Sequence, residues 1–227
     1  MTEAVNYLLP DVPGTLPWHK IKTIVATNKT LKGYGCLVSK NDYENFPVEI
    51  VQWPKPDGRP IDPGTGDEAG TKQGIFDFWW EGEVLFGRNN AVKDEYLLGW
   101  SVNPNEADRE KTSDQVPDRV LLWHANYHPD GGQLFFPIDG SAFVTPLALP
   151  GDDVTPDRFV NFYFDGSHGL YIHPNIWHEG IFPLARKAHF FDKQGAIHGR
   201  VSVNFAKEFG VFLDVSFRPP LSHLSIE

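Results

Sequence analysis

Hydrophobic and polar residues alternate in short runs along most of the chain, and the runs are separated by proline and glycine. The sequence contains 19 prolines and 21 glycines, residues that commonly end strands and form turns. Alternation with a period of two is typical of β-strands that bury one face. The pattern predicts a mostly β protein with strands at 48–53, 74–80, 83–86, 96–102, 119–127, 133–137, 142–149, 170–173, 200–205 and 211–217.

Helix signals are few. The clearest is Thr155-Pro156-Asp157, in which a residue suited to an N-cap precedes a proline and an acid, and it predicts a short helix to about residue 164. The segment 28–35 is expected to close another short helix and to lead into a first strand. Many short strands with frequent turn signals indicate a sandwich or a barrel.

Two polar stretches, 55–72 and 103–115, have no hydrophobic periodicity and are predicted to be loop-rich insertions. Long loops of this kind are often functional, although mobile surface decoration is the commoner explanation. A chain of 227 residues is long enough for one β domain with a sizeable core. We therefore expect a single domain spanning residues 1–227.

Charge and composition narrow the class of protein. A net charge of -10 without a Lys/Arg cluster argues against nucleic acid as a partner. Cys36 is the only cysteine, so no intrachain disulfide requires an oxidising compartment. The start of the sequence lacks a basic signal-peptide region, and no run approaches the ~18 apolar residues of a membrane span. These features predict a soluble cytoplasmic protein without a membrane partner.

Candidate chemistry begins in the segment 121–140, where His124, Asn126 and His128 occupy every second position. In a strand these three side chains share one face. The turn 129–132, Pro-Asp-Gly-Gly, is expected to supply a preset φ at proline and positive φ at glycine. The turn would return Gln133 to a position beside His128.

A second polar group lies in the segment 169–184, where His173 ends a strand and His178 enters the next one after a Pro-Asn turn. Two hairpins that carry histidines into a small barrel predict one shared pocket. A lone strand histidine is more often a core or surface residue than a functional one. We therefore expect five histidines to lie outside the site: His19, His168, His189, His198 and His223.

Aromatic residues near these hairpins are expected to be core residues, namely Trp123, Phe135, Phe136 and Trp177. An aromatic ring beside a polar pocket can also exclude water from it. Phe135 and Trp177 are therefore kept as candidates for substrate contact.

The two hairpins resemble the cupin superfamily, because His128, Gln133 and Gly140 have the spacing of its first motif. More narrowly, HPDGGQLFFPIDG and YIHPNIWHEGIFPL resemble the ureidoglycolate lyase family. The resemblance is tight over about 119–184, loose over 31–53 and absent from 55–115. It implies a cupin-type double-stranded β-helix barrel, or jelly roll, with a few short helices. The family often has an acid where this chain has Asn126.

The resemblance implies a carbon–nitrogen lyase of the amidine-lyase type, which cleaves ureidoglycolate to glyoxylate and urea in allantoin degradation, a part of purine catabolism. One base must take the hydroxyl proton and one acid must protonate the departing nitrogen, tasks that suit histidine. His128 and His178 are expected in these roles, with His173 as a third candidate. Gln133 would donate to the developing carbonyl oxygen or orient the urea group. His124, Asn126, Phe135 and Trp177 are the remaining candidates for contact with the substrate.

A small carboxylate substrate needs a cation to bind it. The sequence offers four candidates and no basis for choosing among them: Arg88, Lys93, Arg186 and Arg218. No cofactor is certain. His128, Gln133 and His178 would form a weak site for Mn, Ni or Zn, because a glutamine amide is a neutral ligand. By analogy with cupins we expect a homodimer. The alternatives are a metal-dependent isomerase or dioxygenase acting on another small carboxylate, and a cupin that binds a small ligand without turnover.

Overall fold

The computed structural model describes residues 6–50, 58–66, 68–197 and 199–220. Most of these residues lie in two β-sheets, which confirms the predicted mostly β class. The strands are β1 (Trp18–Lys20), β2 (Lys22–Val25), β3 (Gly35–Val38), β4 (Glu68–Glu81), β5 (Val84–Asn89), β6 (Asp94–Trp100), β7 (Arg119–Leu122), β8 (His124–Tyr127), β9 (Gln133–Pro137), β10 (Phe143–Ala148), β11 (Val160–Phe164), β12 (Gly169–Ile172), β13 (Trp177–His178), β14 (Phe182–Pro183), β15 (Lys187–Ile197), β16 (Val201–Asn204) and β17 (Phe212–Ser216).

The larger sheet has ten strands in the order β1-β17-β7-β6-β5-β4-β15-β9-β12-β3. The smaller sheet has the order β16-β8-β13-β10-β11-β2, and β14 pairs with β10 beside this path. The two sheets are not joined by strand pairing into a closed barrel within the described residues. They form a jelly-roll sandwich of the expected cupin type, in which the inward faces of both sheets supply the main core.

Helices are as few as the sequence predicts. The described residues contain the α-helix α1 (Phe205–Phe209) and two 3-10 helices, Tyr43–Asn45 and Pro156–Arg158. Asn204 caps α1 by accepting a hydrogen bond from the Lys207 backbone N–H. None of these helices is long and apolar enough to cross a membrane.

The helix predicted to run from Thr155 to about residue 164 is wrong beyond its first turn. The 3-10 helix ends at Arg158, and Val160–Phe164 forms β11, which lies between β10 and β2. Phe162 is fully buried there, and Asn161 donates to the Thr23 hydroxyl and the Ser216 carbonyl. Pairing on both sides outweighs the local helix signal, because it satisfies the backbone of a segment rich in aromatic residues. The segment 28–34 likewise forms turns rather than a helix before β3.

Part of the first predicted loop is also wrong. β4 begins at Glu68 and pairs with β15 along most of its length, so residues 68–72 belong to the large sheet. The stretch 103–115 is irregular, as predicted. Of the strand predicted at 48–53, only an isolated bridge between Ile50 and Gly131 is described, and 51–53 lie outside the described residues.

Candidate active site

A cavity of about 310 Å³ lies between the two sheets. The large sheet lines it with residues of β4, β5, β6, β9 and β15, and the small sheet lines it with residues of β8 and β13. His124, Asn126 and His128 all face this cavity, as their spacing predicts. The antiparallel pairing of His178 with Asn126 brings the second histidine hairpin to the same wall.

The rings of His128 and His178 lie edge to face, with their centroids 5.0 Å apart. The Nδ1 atom of His178 lies 2.7 Å from the Ile176 carbonyl oxygen, and Nδ1 of His128 lies 3.0 Å from the Gly199 carbonyl oxygen. A carbonyl only accepts hydrogen bonds, so both Nδ1 atoms carry a proton. In a neutral ring with this tautomer, Nε2 is the unprotonated, basic nitrogen. Burial lowers the pKa of His178 to about 4, which keeps this ring neutral near pH 7.

Gln133 is held by a buried polar network below the histidines. Its Nε2 donates to Asp192 Oδ1 over 2.7 Å and to Gln194 Oε1 over 2.9 Å. Its Oε1 therefore faces His178 Nε2, at 3.3 Å, where it can accept a hydrogen bond once Nε2 has taken up a proton. Because both amide protons are engaged, the structure favours Gln133 as an acceptor, in contrast to the predicted donation to a carbonyl oxygen. Burial raises the pKa of Asp192 to about 7, although the hydrogen bonds from Gln133 and Asn89 lower it.

Glu179 is a cavity residue that the sequence interpretation missed. Its carboxyl Oε2 lies 3.3 Å from Asn126 Nδ2 and 3.4 Å from His124 Nε2. Burial raises the pKa of Glu179 to about 8, and burial together with Arg200 lowers the pKa of His124 to about 3. At pH 7 the two groups form a neutral contact rather than an ion pair. The carboxyl group absent at Asn126 is thus supplied beside it by the residue that follows Trp177-His178.

The structure does not bring His173 or Trp177 into the cavity lining. The His173 ring packs edge-on against Tyr171, with 5.5 Å between the centroids. Trp177 is fully buried, donates from Nε1 to the Gly151 carbonyl and contacts the Tyr127 ring, so it is the core residue that was expected. Phe135, the other aromatic candidate for substrate contact, does line the cavity.

None of the four predicted cations is among the described cavity residues. Arg88 pairs with Glu95, Arg218 pairs with Asp118, and Arg186 donates to two backbone carbonyls. Lys72 and Arg200 line the cavity instead. The alternation of Arg200, Ser202 and Asn204 with apolar residues was the available signal for a polar strand face.

Three of the histidines expected outside the site are absent from the cavity lining. They contact other side chains instead: His19 contacts Asp157, His168 contacts Ser167 and His189 contacts Asp77. His198 and His223 lie outside the described residues.

A metal ion would have to use weak ligands. Among the described residues, no group of three His, Cys, Asp or Glu side chains is arranged to hold a metal. The imidazoles of His128 and His178 together with Gln133 Oε1 are the donors that would be available to one.

Residues 117–205 match the family model described as ureidoglycolate lyase. Over this segment the chain is similar to the ureidoglycolate lyase family. The segment extends from β7 into α1 and includes both histidine hairpins, so the resemblance seen in the sequence is confirmed.

Three similar proteins are the ureidoglycolate lyases of Salmonella paratyphi B, Salmonella newport and Salmonella typhimurium, each 38% identical to the chain over 102 residues. The aligned stretch covers 43% of this chain and 64% of each relative. The cavity also uses residues outside the family segment, including Tyr7, Phe76, Asn89 and Tyr96.

Proposed function

We propose that this cavity cleaves ureidoglycolate to glyoxylate and urea. The observation that carries the proposal is the presence on one cavity of two imidazoles whose Nδ1 atoms are bound to carbonyls, His128 and His178, and of a buried carboxyl group that stays protonated, Glu179. A base and an acid in opposite protonation states are what the collapse of a hemiaminal requires. The names of the family and of the similar proteins support the choice of substrate.

The reaction needs two proton transfers and one bond cleavage. Nε2 of His128 or His178 takes the proton of the substrate hydroxyl, and its oxygen forms the aldehyde carbonyl of glyoxylate. The electrons of the carbon–nitrogen bond pass to the nitrogen, which Glu179 protonates as urea departs. Proton transfer from the imidazolium to the Glu179 carboxylate then restores the starting state.

Two amide side chains suit the urea group of the substrate. Asn126 Oδ1 is buried without a hydrogen-bond partner within the described part of the chain. Gln133 presents Oε1 because its amide protons are bound to Asp192 and Gln194. Both oxygens can accept N–H groups, of which urea has several. We propose that these contacts orient the leaving group.

A divalent metal, if bound by His128, Gln133 and His178, would act as a Lewis acid toward a substrate oxygen. On the resemblance alone, we also propose that the enzyme acts in allantoin degradation, a part of purine catabolism, in the cytoplasm and as a homodimer.

The test is glyoxylate release from racemic ureidoglycolate by the purified protein, before and after chelation, with metal content measured on the same sample. We expect release that survives chelation and is abolished in His128→Ala and in His178→Ala. His168→Ala, an exposed histidine outside the cavity, is the matched control and should keep full activity.

Near wild-type release in both cavity variants would remove the cavity from the reaction. Release that is lost with the metal would make the histidines ligands, as in a metal-dependent cupin. No release from any sample would contradict the proposed reaction and would favour a protein that binds another small carboxylate.

A further inference from the structure

Strand register places Arg200 on the cavity wall next to the proposed base. In the β16–β8 pair, Ser202 lies opposite Asn126 and Val201 lies opposite Tyr127. Continuing the register by one residue sets Arg200 opposite His128. The His128 ring is also hydrogen-bonded to the carbonyl of Gly199, the residue before Arg200. Side chains directly opposite each other in an antiparallel pair share a face. Arg200 and His128 therefore point into the same cavity, which both residues line.

The guanidinium of Arg200 is held by a hydrogen bond along one edge and by an aromatic ring against one face. Its Nε donates to Asp62 Oδ2 over 2.9 Å, and its Cζ lies 4.3 Å from the centre of the Tyr7 ring. The same Asp62 oxygen accepts from Ser202 Oγ over 2.6 Å, and Tyr7 Oη lies 3.3 Å from it. The side chain is only 20% exposed. These contacts remove most of the freedom that a surface arginine retains.

The polar loop 58–66 is built around this residue. The Asp62 backbone N–H donates to the Arg200 carbonyl over 2.7 Å, and the Arg200 backbone N–H donates to Thr65 Oγ1 over 3.0 Å. The loop therefore holds Arg200 by its backbone and by its side chain. This part of the predicted surface loop positions a charged group in the cavity rather than decorating the surface.

The terminal nitrogens Nη1 and Nη2 of Arg200 have no hydrogen-bond partner among the described residues. Other arginines use these atoms on carboxylates, as Arg59 does with Glu208 and Arg158 does with Asp153. A guanidinium held by Nε presents its two terminal N–H groups in the geometry that binds a carboxylate through both oxygens. The nearby cavity groups Glu179 and His124 are neutral near pH 7, so they do not compete for this charge.

We propose that Arg200 is the carboxylate receptor of the cavity, and that the site selects small acids whose carboxylate is attached to the reacting carbon. The inference deepens the proposed function and rests on it for the reaction, whereas carboxylate binding can be measured without turnover. A carboxylate held at Arg200 would place the adjacent carbon near His128, because the two residues are cross-strand neighbours.

The binding test compares two ligands, oxalurate and its neutral amide, oxaluramide. Oxalurate is a ureido acid with a carbonyl in place of the carbinol of ureidoglycolate, so it cannot be cleaved by the same reaction. By isothermal titration calorimetry, we expect wild-type protein to bind oxalurate at least ~10-fold more tightly than oxaluramide. Arg200→Gln should weaken oxalurate binding by about 10- to 100-fold, the usual range for a lost charged hydrogen-bond pair, and leave oxaluramide binding unchanged. Arg218→Gln, which removes an exposed paired arginine, should change neither.

Arg200→Lys guards against a folding defect, since it keeps the charge but loses the bidentate geometry. It should show an intermediate affinity for oxalurate, and unfolding temperatures measured on wild type and on both Arg200 variants separate lost binding from a folding defect. Unchanged oxalurate binding in both Arg200 variants would overturn the inference, as would a loss confined to Lys72→Gln. Loss of oxalurate binding in Arg200→Gln without glyoxylate release by wild-type protein would uphold the receptor and contradict only the proposed reaction. Release by Arg200→Gln with an unchanged KM would contradict only the receptor.

Discussion

At the scale of single residues, burial decides which cavity groups are charged. The pKa of Glu179 rises to about 8 and that of Asp192 to about 7, whereas the pKa of His178 falls to about 4. Desolvation is the largest cause in all three, because a low-dielectric environment disfavours the charged form of an acid and of a base alike. The cavity therefore offers a protonated acid and an unprotonated base at the same pH.

Glu179→Gln should lower glyoxylate release by ~100-fold or more, because glutamine cannot transfer the proton to the leaving nitrogen. In wild-type protein we expect activity to fall on the alkaline side as Glu179 ionises, near its pKa of about 8. The pH profile of residual kcat in the variant should lack this alkaline decline. Glu44→Gln, at an exposed residue that contacts Tyr43, is the control and should behave like wild type. Unchanged turnover in Glu179→Gln would assign the acid to another group.

At the scale of elements, the turn between β8 and β9 works by close approach rather than by an unusual backbone conformation. The positive φ predicted for Gly131 and Gly132 is wrong, since neither glycine has one. A Cβ at Gly132 would instead lie 2.7 Å from the Ile172 carbonyl oxygen and would also clash with the Tyr171 hydroxyl. At Gly131 the nearest atom would be 3.3 Å away. The turn thus needs glycine where β9 passes β12, immediately before Gln133.

Gly132→Ala should destabilise the protein by about 1–3 kcal/mol, the usual cost of overpacking, and should lower turnover by displacing Gln133. Gly131→Ala is the matched control in the same turn and should keep most of the activity and stability. Urea unfolding and glyoxylate release measured on both variants provide the check. Equal behaviour of the two variants would show that the approach of β12 does not constrain the turn.

At the scale of the whole molecule, closing the two sheets over ionisable groups links stability to pH. Glu179 and Asp192 have raised pKa values, so the folded state retains protons that the unfolded state releases, and stability falls as pH rises toward 8. His124 and His178 have lowered pKa values, so stability rises with pH up to their ordinary value of 6.5. The two effects oppose each other below pH 6.5, and only the acids act above it.

We therefore expect the free energy of unfolding to decline between about pH 6.5 and pH 8, with each acid contributing at most ~1.4 kcal/mol per pH unit. Glu179→Gln should make this decline shallower, because it removes one of the two linked protons. Urea unfolding at several pH values measures both slopes, with Glu44→Gln as the control. A flat wild-type profile over this range, or identical slopes in Glu179→Gln and wild type, would contradict the assignment.

Much of the fold that the sequence missed lies where polar cavity residues interrupt the hydrophobic pattern. β15 occupies the middle of the large sheet, yet Asp192 and Gln194 stand on its inward face among apolar residues and hide its period of two. The segment 68–72 is polar and becomes a strand only because β15 pairs with it. In both cases a partner distant in sequence supplies what local propensity does not.

The sequence by itself determined the two histidine hairpins, the mostly β class and the similarity of the segment 117–205 to ureidoglycolate lyases, because alternation, turn residues and motif spacing are local properties of the chain. Only the tertiary structure decided that His173 lies apart from the cavity, that Glu179 stands beside Asn126, and that Arg200 lines the cavity while its Nε is bound to Asp62. These features depend on the register between distant strands and on the exclusion of water between two sheets. Neither the register between distant strands nor the exclusion of water can be read from the spacing of residues along one strand.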